Sequence, residues 1–179
     1  AVLPGTTKKE ILLTSYLCHP QMANHELGGP IALCNLYQML KASGPHKFTY
    51  RFLICPENIG SAAFLHNSGD DVSEVIEAGF ILNCLAYGEE WNLKKSRKFN
   101  SYSDLIAKNT LSSSNLPINI IEFFPDGSDE RQFCSPGYDW PISLVMKKMY
   151  GTFSQYHTSA DDLDFINYEA LIDSIWMHF

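Results

Sequence analysis

The chain has no CxxC pair, no apolar run near the ~18 residues that a membrane span requires, and no stripe of basic residues. Each absence removes a class of function. Without paired cysteines there is no disulfide framework, and the five cysteines, at 18, 34, 55, 84 and 134, lie scattered. Cys18, Cys55 and Cys84 sit within or at the end of β-type apolar runs, as buried free thiols do, so a reducing compartment, the cytoplasm, is expected. A net charge of −7 without clustered Lys and Arg argues against nucleic acid as a partner. The one basic cluster, Lys94-Lys95-Ser96-Arg97-Lys98, is expected to be a solvated loop. No membrane partner is expected, and the N-terminus lacks the charged and apolar regions of a secretory signal. Repeats and low-complexity tracts are also missing. The turn-like opening "LPGTTKKE" and the mid-helix ending "LIDSIWMHF", without a capping glycine, suggest one domain, residues 1–179, of a longer protein with flanking domains.

What is present is enough for one α/β core, since 179 residues with 45% hydrophobic content can bury one. Short β-branched and aromatic runs predict strands over 10–18, 47–55, 79–87, 116–124 and 141–150. Apolar residues at helical spacing, with glycine or asparagine punctuation, predict helices over 29–44, 59–69, 102–112 and 167–179, the last capped by Asn167. Strands alternating with helices imply a largely parallel sheet covered on both faces, a three-layer α/β/α arrangement. In such sheets ligands sit beyond the carboxyl ends of the strands.

That rule singles out a set of polar residues. His19 follows the first strand, within "CHPQMANHELGGP", Glu57 follows the second and Asn83 lies late in the third. "GSDERQF" (127–133) follows the fourth strand and "YHTSADD" (156–162) the fifth, so these groups are expected to converge. Several have plainer readings. Asn24 and Glu26 could cap the helix that follows, and Asp161 and Asp162 could cap a turn or, from behind, orient the His157 imidazole. Asp129 could fix its loop or position substrate, and Arg131 could hold a substrate carboxylate or pair with Asp129 or Glu130. His46, His66 and His178 have no companion ligands and are expected to be structural. A Cys18 nucleophile with His19 as base is disfavoured, because neighbours in a strand point to opposite faces.

The ordered set "CHP…ANHELGGP", "LICPENIGS", "GSDERQF" and "YHTSADD" resembles the zinc-dependent aminopeptidase family that also contains glutaminyl cyclase. Within it, the closest likeness is to a bacterial aminopeptidase-like branch associated with polysaccharide biosynthesis. The resemblance runs over nearly the whole chain and implies a mixed, mostly parallel sheet flanked by helices, entered after the family's first strands. In that family one histidine and a late histidine bind two zinc ions, an aspartate bridges them, and a Glu-Glu pair supplies base and ligand. The first histidine matches His19 and the late one His157. Glu57 falls in the Glu-Glu region between Pro56 and Asn58, so one carboxylate remains. The bridging position falls on His25, beside Glu26, and a further family aspartate corresponds to Asn83.

The set is therefore depleted in carboxylates, which two close zinc ions need to screen their repulsion, and one Zn²⁺ is expected rather than two. Three protein ligands and one water make a catalytic zinc site. His19, Glu26 and His157 are the expected ligands, with His25, Asp129 and Asp161 as further ligands or their supports. Glu57 is expected either as the general base or as a ligand. The resemblance thus implies a hydrolase acting on an amide of a small peptide or amino-sugar-like substrate; the alternative is a degenerate, non-catalytic binding module.

Overall fold

The computed structural model describes residues 1–179. Seven strands form one mixed sheet in the order β1-β3-β2-β4-β7-β5-β6. They are β1 (Val2–Leu3), β2 (Glu10–Tyr16), β3 (Thr49–Cys55), β4 (Ile76–Leu82), β5 (Trp91–Lys94), β6 (Ile118–Ile121) and β7 (Ile142–Met146). Strands β3, β2, β4 and β7 run parallel; β1 and β5 join antiparallel, and β6 follows β5. Strand β2 is buried at every position, the polar Glu10, Thr14 and Ser15 included, as a central strand covered on both faces is.

Alternation along the strands divides the core between two faces. Ile11 and Leu13 meet α1 (Gly28–Ser43) and α5 (Tyr168–His178) on one face, through Leu33, Leu36, Leu40, Leu171 and Ile175. Leu12, Ile81, Ile142 and Leu144 meet α2 (Ile59–Ser73) and α4 (Glu130–Phe133) on the other. Helix α3 (Tyr102–Leu111) covers Trp91, Leu93 and Val145. Burying each such Leu or Ile contributes about 1.5–3 kcal/mol. Helix α1 reaches the sheet closely because position 29 has no side chain: a Cβ on Gly29 would overlap the Leu82 carbonyl and the Ser15 hydroxyl. The Asn167 cap is present, its side chain accepting from the N–H groups of Glu169 and Ala170.

Several expectations need correction. Helix α2 runs through Gly69 rather than stopping there; the glycine makes room for the Tyr138 ring. The third strand spans Ile76–Leu82 and the last Ile142–Met146, both ending short of the expected bounds. The strand near 116–124 is the edge strand β6 and runs opposite to the parallel group, so its carboxyl end faces away from the site. The segment after it must double back to deliver Asp129. The basic cluster is not a solvated loop. Lys94 closes β5 fully buried, donating to Glu130 Oε1 (2.7 Å), the Asp126 carbonyl (2.5 Å) and Tyr150 Oη (3.1 Å), with its ammonium 3.7 Å from the Phe124 ring centre. Lys95 and Arg97 pair with Glu122 and Asp139.

Burial holds the Glu130 carboxyl above its usual range while Lys94 draws it down, and Glu130 Oε2 has no hydrogen-bond partner. Removing only the cation strands that carboxylate. Lys94→Met is expected to lower stability by about 3–5 kcal/mol, and adding Glu130→Gln to restore most of it, as read from urea denaturation at neutral pH.

Candidate metal centre and active site

The parallel strands release their chains at one edge, and three histidines meet there. His19 lies just beyond β2, His25 in a π-helical turn (Ala23–Leu27), and His157 in the loop between β7 and α5. Their ring centres form a near-equilateral triangle with sides of 5.0 Å (His19–His25), 4.8 Å (His19–His157) and 4.9 Å (His25–His157). The Nε2 atoms of His25 and His157 stand 3.3 Å apart. That is the edge of a tetrahedron with metal–nitrogen bonds of about 2.0–2.1 Å. Burial, then His157 and His19, push the His25 pKa down to about 3, and burial followed by His19 lowers that of His157. Neutral imidazole is the form that binds a metal.

Each ring is held from behind. Glu26, 1% exposed, accepts the Cys18 N–H at 2.6 Å and lies 2.5 Å from His19 Nδ1, the carboxylate–imidazole contact common behind metal ligands. His25 Nδ1 faces Tyr16 Oη (3.3 Å) and Cys84 Sγ (3.5 Å), and Asn83 donates to Tyr16 Oη. Tyr156 stacks on His157 with ring centres 3.9 Å apart. Asp161 accepts the N–H groups of Asn24 (2.7 Å) and His25 (3.0 Å), so it fixes the turn's backbone rather than the His157 ring. Asp162 caps the N–H groups of Asp164 and Phe165.

Asn24 and Glu26 do not cap α1, which starts without a side-chain cap; the Asn24 side chain accepts the Ala86 N–H instead. Cys18 and His19 do not stand on opposite faces of a strand. The strand ends at Tyr16, so opposite faces no longer apply, and Cys18 Sγ comes within 3.4 Å of His19 Nδ1. Cys18 is exposed rather than buried, yet partial desolvation, with Glu26 and Glu57 adding to it, raises its pKa and leaves it a poor nucleophile.

Glu57 follows β3 with its N–H on Cys18 Sγ at 3.4 Å. Its carboxylate belongs to neither compact ligand group, His19–His25–His157 or Cys18–His19–Glu26. Burial pushes the Glu57 pKa up, with His19 among the groups drawing it back. Asp129 is fully buried, and its Oδ1 accepts from the Asn58 N–H and Ser61 Oγ, both at 2.7 Å. Arg131 is exposed and pairs with neither Asp129 nor Glu130. His46 and His178 bond backbone carbonyls and His66 is exposed, all apart from the triangle. Tyr16 and Tyr156 carry no signal in the sequence beyond adjacency to Cys18 and His157, and Cys84 reads there only as a buried thiol. The largest cavity, about 960 Å³, is lined by Tyr87, Glu89, Glu90, Phe165 and Glu169 among others, and by no histidine. The Asn167 N–H to Ala86 carbonyl bond joins its wall to the segment that Asn24 holds.

The sequence family described as "Domain of unknown function (DUF4910)" matches residues 1–179. The chain belongs to that family. It is 38% identical over 170 residues to a Clostridium acetobutylicum protein named "Putative polysaccharide biosynthesis protein with aminopeptidase-like domain", covering 95% of this chain and 38% of that protein. A Clostridium acetobutylicum crystal structure described as a "putative peptidase" matches with a TM-score of 0.95 and 35% identity over 99% of this chain and 42% of the other. A zinc aminopeptidase from Bacillus subtilis shares the fold, with a TM-score of 0.78 and 16% identity over 99% of this chain and 47% of the other. The DUF4910 chain thus has the aminopeptidase-like fold and spans about two-fifths of the length of its Clostridium relative.

Burial raises the Asp129 pKa from 3.8 to about 6, with Ser61 and Asn58 opposing. A raised acid pKa means the folded state binds the proton more tightly, so this group's contribution falls as pH rises from about 4 to 6 and is flat above, by about 3 kcal/mol in all. The stability difference between wild type and Asp129→Asn, from denaturation at fixed salt, is expected to follow that slope across that window.

Proposed function

We propose that this chain carries the metal site of a metal-dependent hydrolase that cleaves an amide bond. The triangle of imidazoles carries the reading: one nitrogen from each lies within 4.8 Å of the others, the His25–His157 pair at tetrahedral spacing, and three such ligands leave one position for water or substrate. His19, His25 and His157 are assigned as the zinc ligands, and Glu26 as the carboxylate that orients His19. A single ion suits this set, because Asn58 and Asn83 bring no carboxylate to screen a second charge. Bound zinc would polarise the amide carbonyl and acidify its water. Glu57, outside the ligand group with a raised pKa, accepts the water's proton and returns it to the leaving amine.

A small peptide or an amino-sugar-like amide is the substrate we favour. The relative's name points toward polysaccharide chemistry. All five cysteines are free and no helix is long and apolar enough to cross a membrane; with the thiols in view we assign the cytoplasm. The scarcity of carboxylates favours one other reading, a binding module of the same fold without turnover.

Glu57→Gln separates these readings. A general base predicts full zinc occupancy with turnover of aminoacyl amides or N-acetylated amino sugars lowered by about 10²-fold or more. Joint loss of zinc and of thermal stability would make Glu57 a ligand instead. Absence of turnover in zinc-loaded, full-length wild type would favour the binding module. His25→Ala is expected to abolish stoichiometric zinc by elemental analysis, whereas a ligand set built on Glu26 would retain it.

A further inference from the structure

Glu57 is followed by an unusual piece of backbone. Asn58 has φ 59° and ψ −53°, and the Glu57 carbonyl accepts the Ile59 N–H at 2.6 Å, closing a γ-turn over one residue. The form with positive φ and negative ψ is the rare, strained one, and here a residue with a side chain occupies it. The turn is gripped from several sides. Asp129 takes the Asn58 N–H at 2.7 Å, Gln132 donates to the Asn58 side chain at 3.2 Å, and the Gly60 N–H bonds the Pro56 carbonyl at 2.8 Å. On the histidine side, the Glu57 N–H rests on Cys18 Sγ.

A one-residue reversal makes the direction of the Glu57 side chain depend on the dihedrals of Asn58. Asp129 is an expensive way to hold it: the carboxylate is fully buried and its Oδ2 has no hydrogen-bond partner. A group that costs stability while gripping a strained turn beside a proton acceptor has a use other than folding. We propose that Asp129 is a positioning residue for Glu57, acting through the Asn58 γ-turn. The proposal rests on Glu57 being the proton acceptor. A charged acceptor grips the Asn58 N–H about twice as strongly as a neutral one and keeps the turn from relaxing.

The test uses zinc-loaded, full-length protein and an aminoacyl amide. Asp129→Ala is expected to lower kcat by about 10²-fold with KM and zinc content unchanged, as sub-ångström to ångström misplacement of a reacting group does. Asp129→Asn, which still presents Oδ1 to Asn58, is expected to stay within several-fold of wild type. Adding Asn58→Gly to Asp129→Ala is expected to recover about tenfold, because glycine adopts the turn without strain. Unchanged kcat in Asp129→Ala, loss of zinc with it, or no recovery from the glycine would each overturn the proposal. If Asp129→Ala does not fold, Gln132→Ala loosens only the side-chain grip, and a kcat equal to wild type would overturn it. Amide hydrogen exchange at Asn58 and Ile59 supplies a readout without turnover: it is expected to quicken in Asp129→Ala, and unchanged protection would count decisively against the grip. If wild type turns over no amide, the hydrolase reading fails, and the exchange result alone decides whether Asp129 holds the turn.

Discussion

Four parallel strands buried between two helical layers must release their chains at the same edge, and the rest of the molecule follows from that constraint. Strands β2, β3, β4 and β7 pair in register, so Tyr16 lies beside Cys55 and Leu82 beside Val145. The residues that come next, Cys18-His19, Glu57-Asn58 and Asn83-Cys84, emerge within reach of one another without any long loop to place them. Burial of β2 on both faces makes this edge rigid, and rigid elements hold functional groups more closely than loops do.

Strained backbone recurs along this edge. Gln21, Asn58, Cys84 and His157 all have positive φ, and all lie in or beside the segments that carry the histidines and Glu57. Such conformations cost of order 1–3 kcal/mol each and persist only where surrounding contacts fix them. Those contacts are visible: Asp129 on Asn58, Tyr156 stacked on His157, and Asp161 across the turn that bears His25. Stability accumulated in the core is set against strain at the rim.

How much of this was legible in the sequence depends on whether the signal was local. The parallel strands and α1, α2, α3 and α5 were, because apolar period and punctuation are properties of short windows. The meeting of His19 with His157 was also legible, from strand order and the family pattern, whereas Glu57 stands outside their ligand group. Strand β5 was hidden, because a lysine-rich stretch looks solvated until a distant Glu130 arrives to pair with Lys94. The reversal of β6 was hidden for the same reason: "LPINIIEFF" has no direction in it, and only its partners along the sheet supply one. The π-helical turn and the roles of Glu26, Tyr16 and Tyr156 rest on tertiary contacts that no window contains.

The way Asp161 grips the turn has an evolutionary side. It bonds the main-chain N–H groups of Asn24 and His25, and those are present whatever side chain stands at 25. Holding the position is thereby separated from choosing the donor atom. A single codon change at 25, to a carboxylate or a thiolate, would alter the hardness and charge of the site while the scaffold around it stayed in place. Under the proposed metal site, a change of donor at 25 would thus be separable from loss of the turn that presents it.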